Sequence, residues 1–147
     1  MKPVNEMQIT FPSRSANEGF ARAAVAAFAA QLDPAVDELA DLRTAVSEAV
    51  TNAIVHAYPD ELGPITLTVQ LYENGCIVVR VRDRGRGIPD VEKAMEPLFT
   101  TGGEERSGLG FSVMQSFTDR LRVRSAPGKG TTVIMEKYIA LRVKAHA

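Results

Sequence analysis

Tryptophan is absent from this chain of 147 residues, cysteine occurs once and histidine twice. A single thiol, Cys76, excludes an intramolecular disulfide, and one cysteine with two histidines cannot supply the ligand spacings of a zinc cluster. No apolar run approaches the roughly 18 residues needed to cross a bilayer, and the N-terminus has no signal-peptide core, so a cytoplasmic protein without a membrane partner is expected. Neither sign of charge dominates: 17 basic residues face 18 acidic ones, a formal net charge of -1, which by itself argues neither for nor against a nucleic-acid partner. Non-specific polyanion binding is not expected, and the partners expected are proteins with no direct nucleic-acid contact. What is present is enough for one domain over residues 1–147. Hydrophobic residues make up 45% of the chain, and a fold of this size buries roughly 68–70% of its unfolded surface without a staple.

The informative stretch runs from Ser47 to Tyr58. At helical periodicity Glu48, Asn52 and His56 fall at i, i+4 and i+8 on one stripe, while Val46, Val50, Ala53, Ile54 and Ala57 form another. A helix that buries one side normally gives the other to mixed Lys and Glu. This row instead holds an acid, an amide and an imidazole at one-turn spacing. An amide oxygen is a hard neutral ligand suited to Mg²⁺ shared with phosphates, and a carboxylate one turn away suits proton abstraction from a hydroxyl. The same pair would also serve simply to hydrogen-bond a neighbouring loop.

Alternation of Met7, Ile9 and Phe11 predicts a first strand over Asn5 to Phe11. Ser13 and Ser15 are candidate caps for a helix from about Ala16 to Leu32, whose apolar face reads as Phe20, Ala23, Ala24, Ala27 and Phe28. Glu18 and Arg22 lie outside that face, as a surface ion pair or a docking contact. Asp33 and Pro34 suit the start of a second helix continuing to about His56. Two strands of period two, Ile65 to Tyr72 and Ile77 to Asp83, flank Asn74-Gly75, a strong hairpin signal. Parity puts the Asp83 carboxylate on the apolar side, where it is costly unless donors meet it.

Arg84-Gly85-Arg86-Gly87 follows, permitting a tight turn or a close approach to a flat ligand, then a short helix around Asp90 to Met95. The polar, glycine-containing run from Pro97 to Ser107 is long for an internal connection and reads as a lid. Gly108-Leu109-Gly110 opens a helix to about Thr118, and backbone N–H groups at such a start form an anion site near Arg106, Thr100 and Thr101. Strands Leu121 to Ser125 and Thr131 to about Ile139 close the chain around a Pro127-Gly128-Lys129-Gly130 turn. Arg80, Arg82, Arg120, Arg122 and Arg124 share the sheet's other face, a solvated basic stripe partly neutralised by Glu136 or a partner-binding one.

This order of motifs resembles the GHKL, or Bergerat-fold, ATPases over nearly the whole chain. Within them, Ser47 to Ala53, Asp83 to Pro89, and above all Pro97-Leu98-Phe99-Thr100-Thr101 followed by Glu105 to Phe111 resemble the sporulation anti-sigma F family. The resemblance implies an α+β fold: a two-layer α/β sandwich, a mixed and mostly antiparallel sheet with helices packed on one face. It also implies an anti-sigma factor that inhibits a sporulation sigma factor (sigma F) and is an ATP-dependent serine kinase toward an anti-anti-sigma protein.

On this resemblance Glu48 is the catalytic base and Arg106 reaches the terminal phosphate. Asn52 holds Mg²⁺, and Asp83 accepts the adenine amino group with Gly85, Gly87 and Thr131 beside it. Gly108 and Gly110 cradle the phosphates of ATP or ADP, with Thr100, Thr101, Ser107 and Leu109 around them. A homodimer through the N-terminal strand, and docking through Glu18 and Arg22, are implied too. Gly102-Gly103 stands where Lys-Pro is more familiar, and Arg84 and Arg86 make the first glycine loop unusually basic. Alternatives are a non-catalytic nucleotide-switched binding module, an anti-sigma kinase of a general stress response, and the ATP-binding half of a histidine kinase. No helix pair carrying a phosphoacceptor precedes the domain here, which disfavours the last.

Overall fold

The computed structural model describes residues 1–95 and 110–140. Its elements are β1 (Asn5–Pro12), α1 (Asn17–Ala29), α2 (Val36–Asn52), β2 (Pro64–Leu71), β3 (Cys76–Asp83), α3 (Val91–Met95), α4 (Phe111–Phe117), β4 (Arg120–Ala126) and β5 (Gly130–Tyr138). The strands form one sheet of order β1-β2-β3-β5-β4, antiparallel at every pairing. Turn chemistry fixes the central hairpin. Gly75 sits at φ 90°, and the Cys76 N–H donates to Asn74 Oδ1 at 3.1 Å, which pins β2 against β3.

Period two then decides the layers. Ile65, Leu67, Val69 and Leu71 of β2 and Ile77, Val79 and Val81 of β3 turn inward and are buried. They meet Leu42, Ala45, Val46, Ala49 and Val50 of α2, Ala21, Val25 and Ala29 of α1, and Phe111 and Met114 of α4 in one core. Burial of each of the larger side chains contributes about 1.5–3 kcal/mol. The opposite face carries the five arginines as expected: Arg80 and Arg122 flank Ile134, and Arg82 and Arg124 flank Thr132. Arg122 pairs with Glu136 at 3.7 Å, and Arg80 donates to Gln70.

The helices differ from expectation in four places. The buried face of α1 is Ala21, Val25 and Ala29, whereas Phe20, Ala23 and Ala27 are exposed, Phe20 by 57%. Alanines on every side of this helix give the hydrophobic pattern no contrast, so the phase was open. Ser13 and Ser15 do not cap it: the N-cap is Ala16, and Ser13 Oγ instead accepts the Gly63 N–H at 3.0 Å, tying β1 to the loop before β2. Asp33 does not cap α2. It takes the left-handed conformation, φ 52°, after a 3₁₀ turn Ala30–Leu32, and the N-cap is Ala35, whose N–H donates to Glu38 Oε1 at 2.8 Å. Finally, α2 ends at Asn52 and is extended by a π-helical turn, Ala53–Ala57, where a continuous helix to His56 was expected.

Candidate functional site

That π turn forms one wall of a cleft. Wider turns of this kind insert one extra residue into the helical path, and here Asn52, Ala53, His56 and Ala57 all line the same space. The opposing wall is the inner face of the sheet, Val81 and Asp83 of β3 with Thr131 and Val133 of β5, and Gly87, Ile88 and Pro89 close one end. The space is about 340 Å³, mostly apolar, with Asp83 as its buried acid. A flat apolar slot with one buried acceptor has the chemistry of a purine site.

Asp83 is 6% exposed. Its Oδ1 accepts the Gly85 N–H at 2.9 Å and the Thr131 N–H at 3.2 Å. Both bonds fall on one oxygen, so Oδ2 keeps its acceptor capacity, having no partner among the described residues. Burial pushes the carboxyl pKa upward, and the two backbone donors pull it part of the way back. A ligand amino group at Oδ2 would complete the compensation.

The loop after β3 is held by the chain itself. A Cβ at Gly85 would run into the Ala57 carbonyl, which accepts the Arg86 N–H at 3.0 Å, so the close approach permitted by glycine is to the π turn. Gly85 is not among the cleft-lining residues, whereas Gly87 is. Tyr58 clamps the same loop, its hydroxyl donating to Pro64 O at 2.6 Å and accepting the Arg84 N–H at 2.7 Å.

Ser125 was not singled out by its sequence. Its Oγ accepts the Ile88 N–H at 2.7 Å and lies 2.8 Å from Thr131 Oγ1, fixing the loop against β5. The only signal was its parity with Leu121 and Val123, which places it on the inner face opposite Thr131.

Glu48 lies one turn before Asn52 but outside the cleft, lining a separate groove between α1 and α2. Its carboxylate occupies the space that a Cβ at Gly110 would fill, and Gly110 holds φ 63°. The two residues are therefore mutually fitted, and Glu48 has no hydrogen-bond or ion-pair partner among the described residues. The remaining phosphate-side residues, Thr100, Thr101, Arg106, Ser107, Gly108 and Leu109, lie outside the described residues, as does the lid. Glu18 and Arg22 form an i, i+4 pair at 3.5 Å on α1, Arg22 exposed and Glu18 half-buried. No cluster of three or more acidic, His or Cys side chains that could hold a metal occurs among the described residues. A Mg²⁺ here would rest on the Asn52 amide, phosphate oxygens and water, a donor set that suits the ion.

The family model for the histidine kinase-like ATPase domain matches residues 11–137. An anti-sigma F factor of Caldanaerobacter subterraneus subsp. tengcongensis is 60% identical over 136 residues, spanning 92% of this chain and 94% of that one. The chain belongs to the anti-sigma F factor family, within the histidine kinase-like ATPases. A second anti-sigma F factor, from Geobacillus kaustophilus, is 53% identical over 92% of this chain and 94% of its own. Among solved structures, the RsbU and RsbW domains of Rv1364c from Mycobacterium tuberculosis align with a TM-score of 0.70 at 21% identity, over 93% of this chain and 33% of that one. The histidine kinase domain of a blue-light activated kinase from Erythrobacter litoralis aligns at 0.58, over 83% and 61%, again at 21% identity. At that identity both speak for the fold alone. The ATPase-domain match runs across both the cleft and the groove. No described helix is long and apolar enough to cross a membrane.

Proposed function

We propose that this chain is a cytoplasmic anti-sigma factor that sequesters sigma F and, using MgATP, phosphorylates a serine of the cognate anti-anti-sigma protein. The observation that carries the reading is the position of Glu48: a carboxylate with no partner among the described residues, one helical turn from Asn52 and lining the α1–α2 groove rather than the nucleotide cleft. A purine lies in the cleft with its amino group on Asp83 Oδ2, beside Gly87 and Thr131. Gly110, with Gly108, Ser107, Leu109, Thr100 and Thr101, surrounds the phosphates, and Arg106 neutralises the terminal one. Asn52 would hold Mg²⁺, which when bound would supply charge neutralisation at the phosphate oxygens.

Glu48 takes the proton of the acceptor hydroxyl as its oxygen bonds to the γ-phosphorus. The bond to the bridging oxygen breaks, and ADP leaves with the electron pair. The base thus stands on the protein-acceptor side of the helix and the metal ligand on the nucleotide side.

The exposed Phe20, Ala23 and Ala27, with the Glu18–Arg22 pair beside them, give sigma factor a mixed apolar and charged docking face. Among the described residues β1 pairs only with β2, so its outer edge suits a homodimer. A non-catalytic switch would not need Glu48. A general stress-response anti-sigma kinase would differ in the sigma factor it holds.

The test is incubation with labelled ATP, Mg²⁺, sigma F and the anti-anti-sigma protein. Acid-stable phosphoserine on the acceptor, with sigma F co-eluting in its absence, is expected. Acid-labile phosphate, or none, would refute the kinase reading.

A further inference from the structure

The polar row of α2 continues away from the nucleotide. Ala40, Thr44 and Glu48 share one stripe and, with Ser47 and Arg43, form one side of the groove whose other side is Gly19, Arg22 and Ala23 of α1. The groove measures about 590 Å³, larger than the nucleotide cleft, and Glu48 stands at the end nearest Asn52. Gly19, Ala23 and Ala40 keep its walls low, leaving room for a polypeptide backbone.

Its charges are two arginines and the one base. The Arg22 Nε lies 3.5 Å from the Glu18 carboxylate, an i, i+4 ion pair within α1. Arg43 is exposed and has no ion-pair or hydrogen-bond partner among the described residues. A guanidinium presents a rigid fork of donors matched to a carboxylate.

Resting on the kinase reading above, which brings the acceptor segment to Glu48 along this groove, we infer that Arg43 is a specificity-determining residue that selects a carboxylate close to the acceptor serine. Spacing sets the register. Arg43 and Glu48 are five positions apart on a helix rising about 1.5 Å and turning about 100° per residue, so they are offset by roughly 7.5 Å along its axis and about 140° around it. An extended peptide advances about 3.3 Å per residue, so the selected Asp or Glu stands about two to three residues from the serine. The hydroxyl is then delivered to Glu48 by a clamp that never touches the nucleotide.

The test compares wild type, Arg43→Glu and Arg43→Lys as kinases of the anti-anti-sigma protein, with that protein's acidic residues within three positions of the phosphoserine changed to amides in turn. Arg43→Glu should raise the acceptor KM about tenfold or more, leave kcat within about twofold and leave MgADP affinity unchanged. Arg43→Lys, which keeps the charge and loses the fork, should give an acceptor KM between those of wild type and Arg43→Glu, and one amide substitution in the acceptor should reproduce the KM defect with the wild-type kinase. A normal acceptor KM for Arg43→Glu, a defect confined to kcat, or an acceptor serine with no carboxylate within three residues would each overturn the groove assignment. Arg43 is exposed, so coincident melting curves check that the variants remain folded. Failure of the wild-type chain to phosphorylate the acceptor would overturn the kinase reading itself, an outcome distinct from an active enzyme indifferent to Arg43.

Discussion

Replacing Asp83 with asparagine separates stability from nucleotide binding. Burial raises the carboxyl pKa above its ordinary value of 3.8, against the smaller opposing effect of the Gly85 and Thr131 N–H groups. A carboxyl raised on folding contributes stability that is fully present below its unfolded pKa and lost as pH rises through its folded one. At neutral pH ionised Asp83 therefore costs the nucleotide-free protein stability. An asparagine Oδ1 can keep both backbone donors without that charge, so the nucleotide-free variant should melt at or above wild type at pH 7, with its advantage shrinking as pH falls toward 4.

Binding moves the other way. The variant offers an NH₂ group where the purine amino group needs an acceptor, losing a charge-assisted hydrogen bond worth about 1.5–3 kcal/mol, or roughly 10- to 150-fold in Kd. Nucleotide at 100 times the wild-type Kd stabilises wild type by about 2.7 kcal/mol, and a variant weakened 100-fold by about 0.4 kcal/mol. At about 3 °C per kcal/mol for a chain of this size, the melting shift falls from roughly 8 °C to roughly 1 °C. Calorimetry with MgADP and thermal melting with and without it read both effects. A variant that binds MgADP as wild type does would refute the placement of the purine on Asp83.

Gly110→Ala puts a methyl group into the Glu48 carboxylate and a side chain at φ 63°, so a stability loss of about 1–3 kcal/mol is expected by urea unfolding, with phosphotransfer slowed as Glu48 is displaced. Leu67→Ala empties a fully buried site at the centre of β2 and should cost about 2–5 kcal/mol in the same assay. Burial pushes the Cys76 thiol upward, so alkylation at pH 8.5 should run at least about tenfold slower in the folded protein than in urea, and equal rates would contradict its buried position.

The sheet was legible wherever local chemistry and periodicity agreed. Asn74-Gly75 fixed the hairpin, and the alternation of β3 placed Asp83 inward and Arg80 and Arg82 outward before any packing was known. α1 was not legible in phase, because an alanine-rich helix buries whichever side its neighbours leave, and that side excluded Phe20. The π turn has no periodic signature of its own. It exists where α2 meets the loop after β3, with Ala57 O against Gly85 and Arg86 N, a contact between residues far apart in sequence. Ser125 is a positioning residue for the same reason: only the register of β4 on β5 brings it to Ile88 and Thr131. The Glu48–Asn52 spacing was visible at once. That it divides a cleft from a groove depended on how α1 lies against α2.

That division is tested most directly by Glu48→Gln, assayed in a single turnover with prebound MgATP and saturating anti-anti-sigma protein. A loss of roughly 10²–10⁴-fold in the transfer rate, with the nucleotide Kd unchanged, is predicted for a base on the acceptor side. Transfer at the wild-type rate would contradict it.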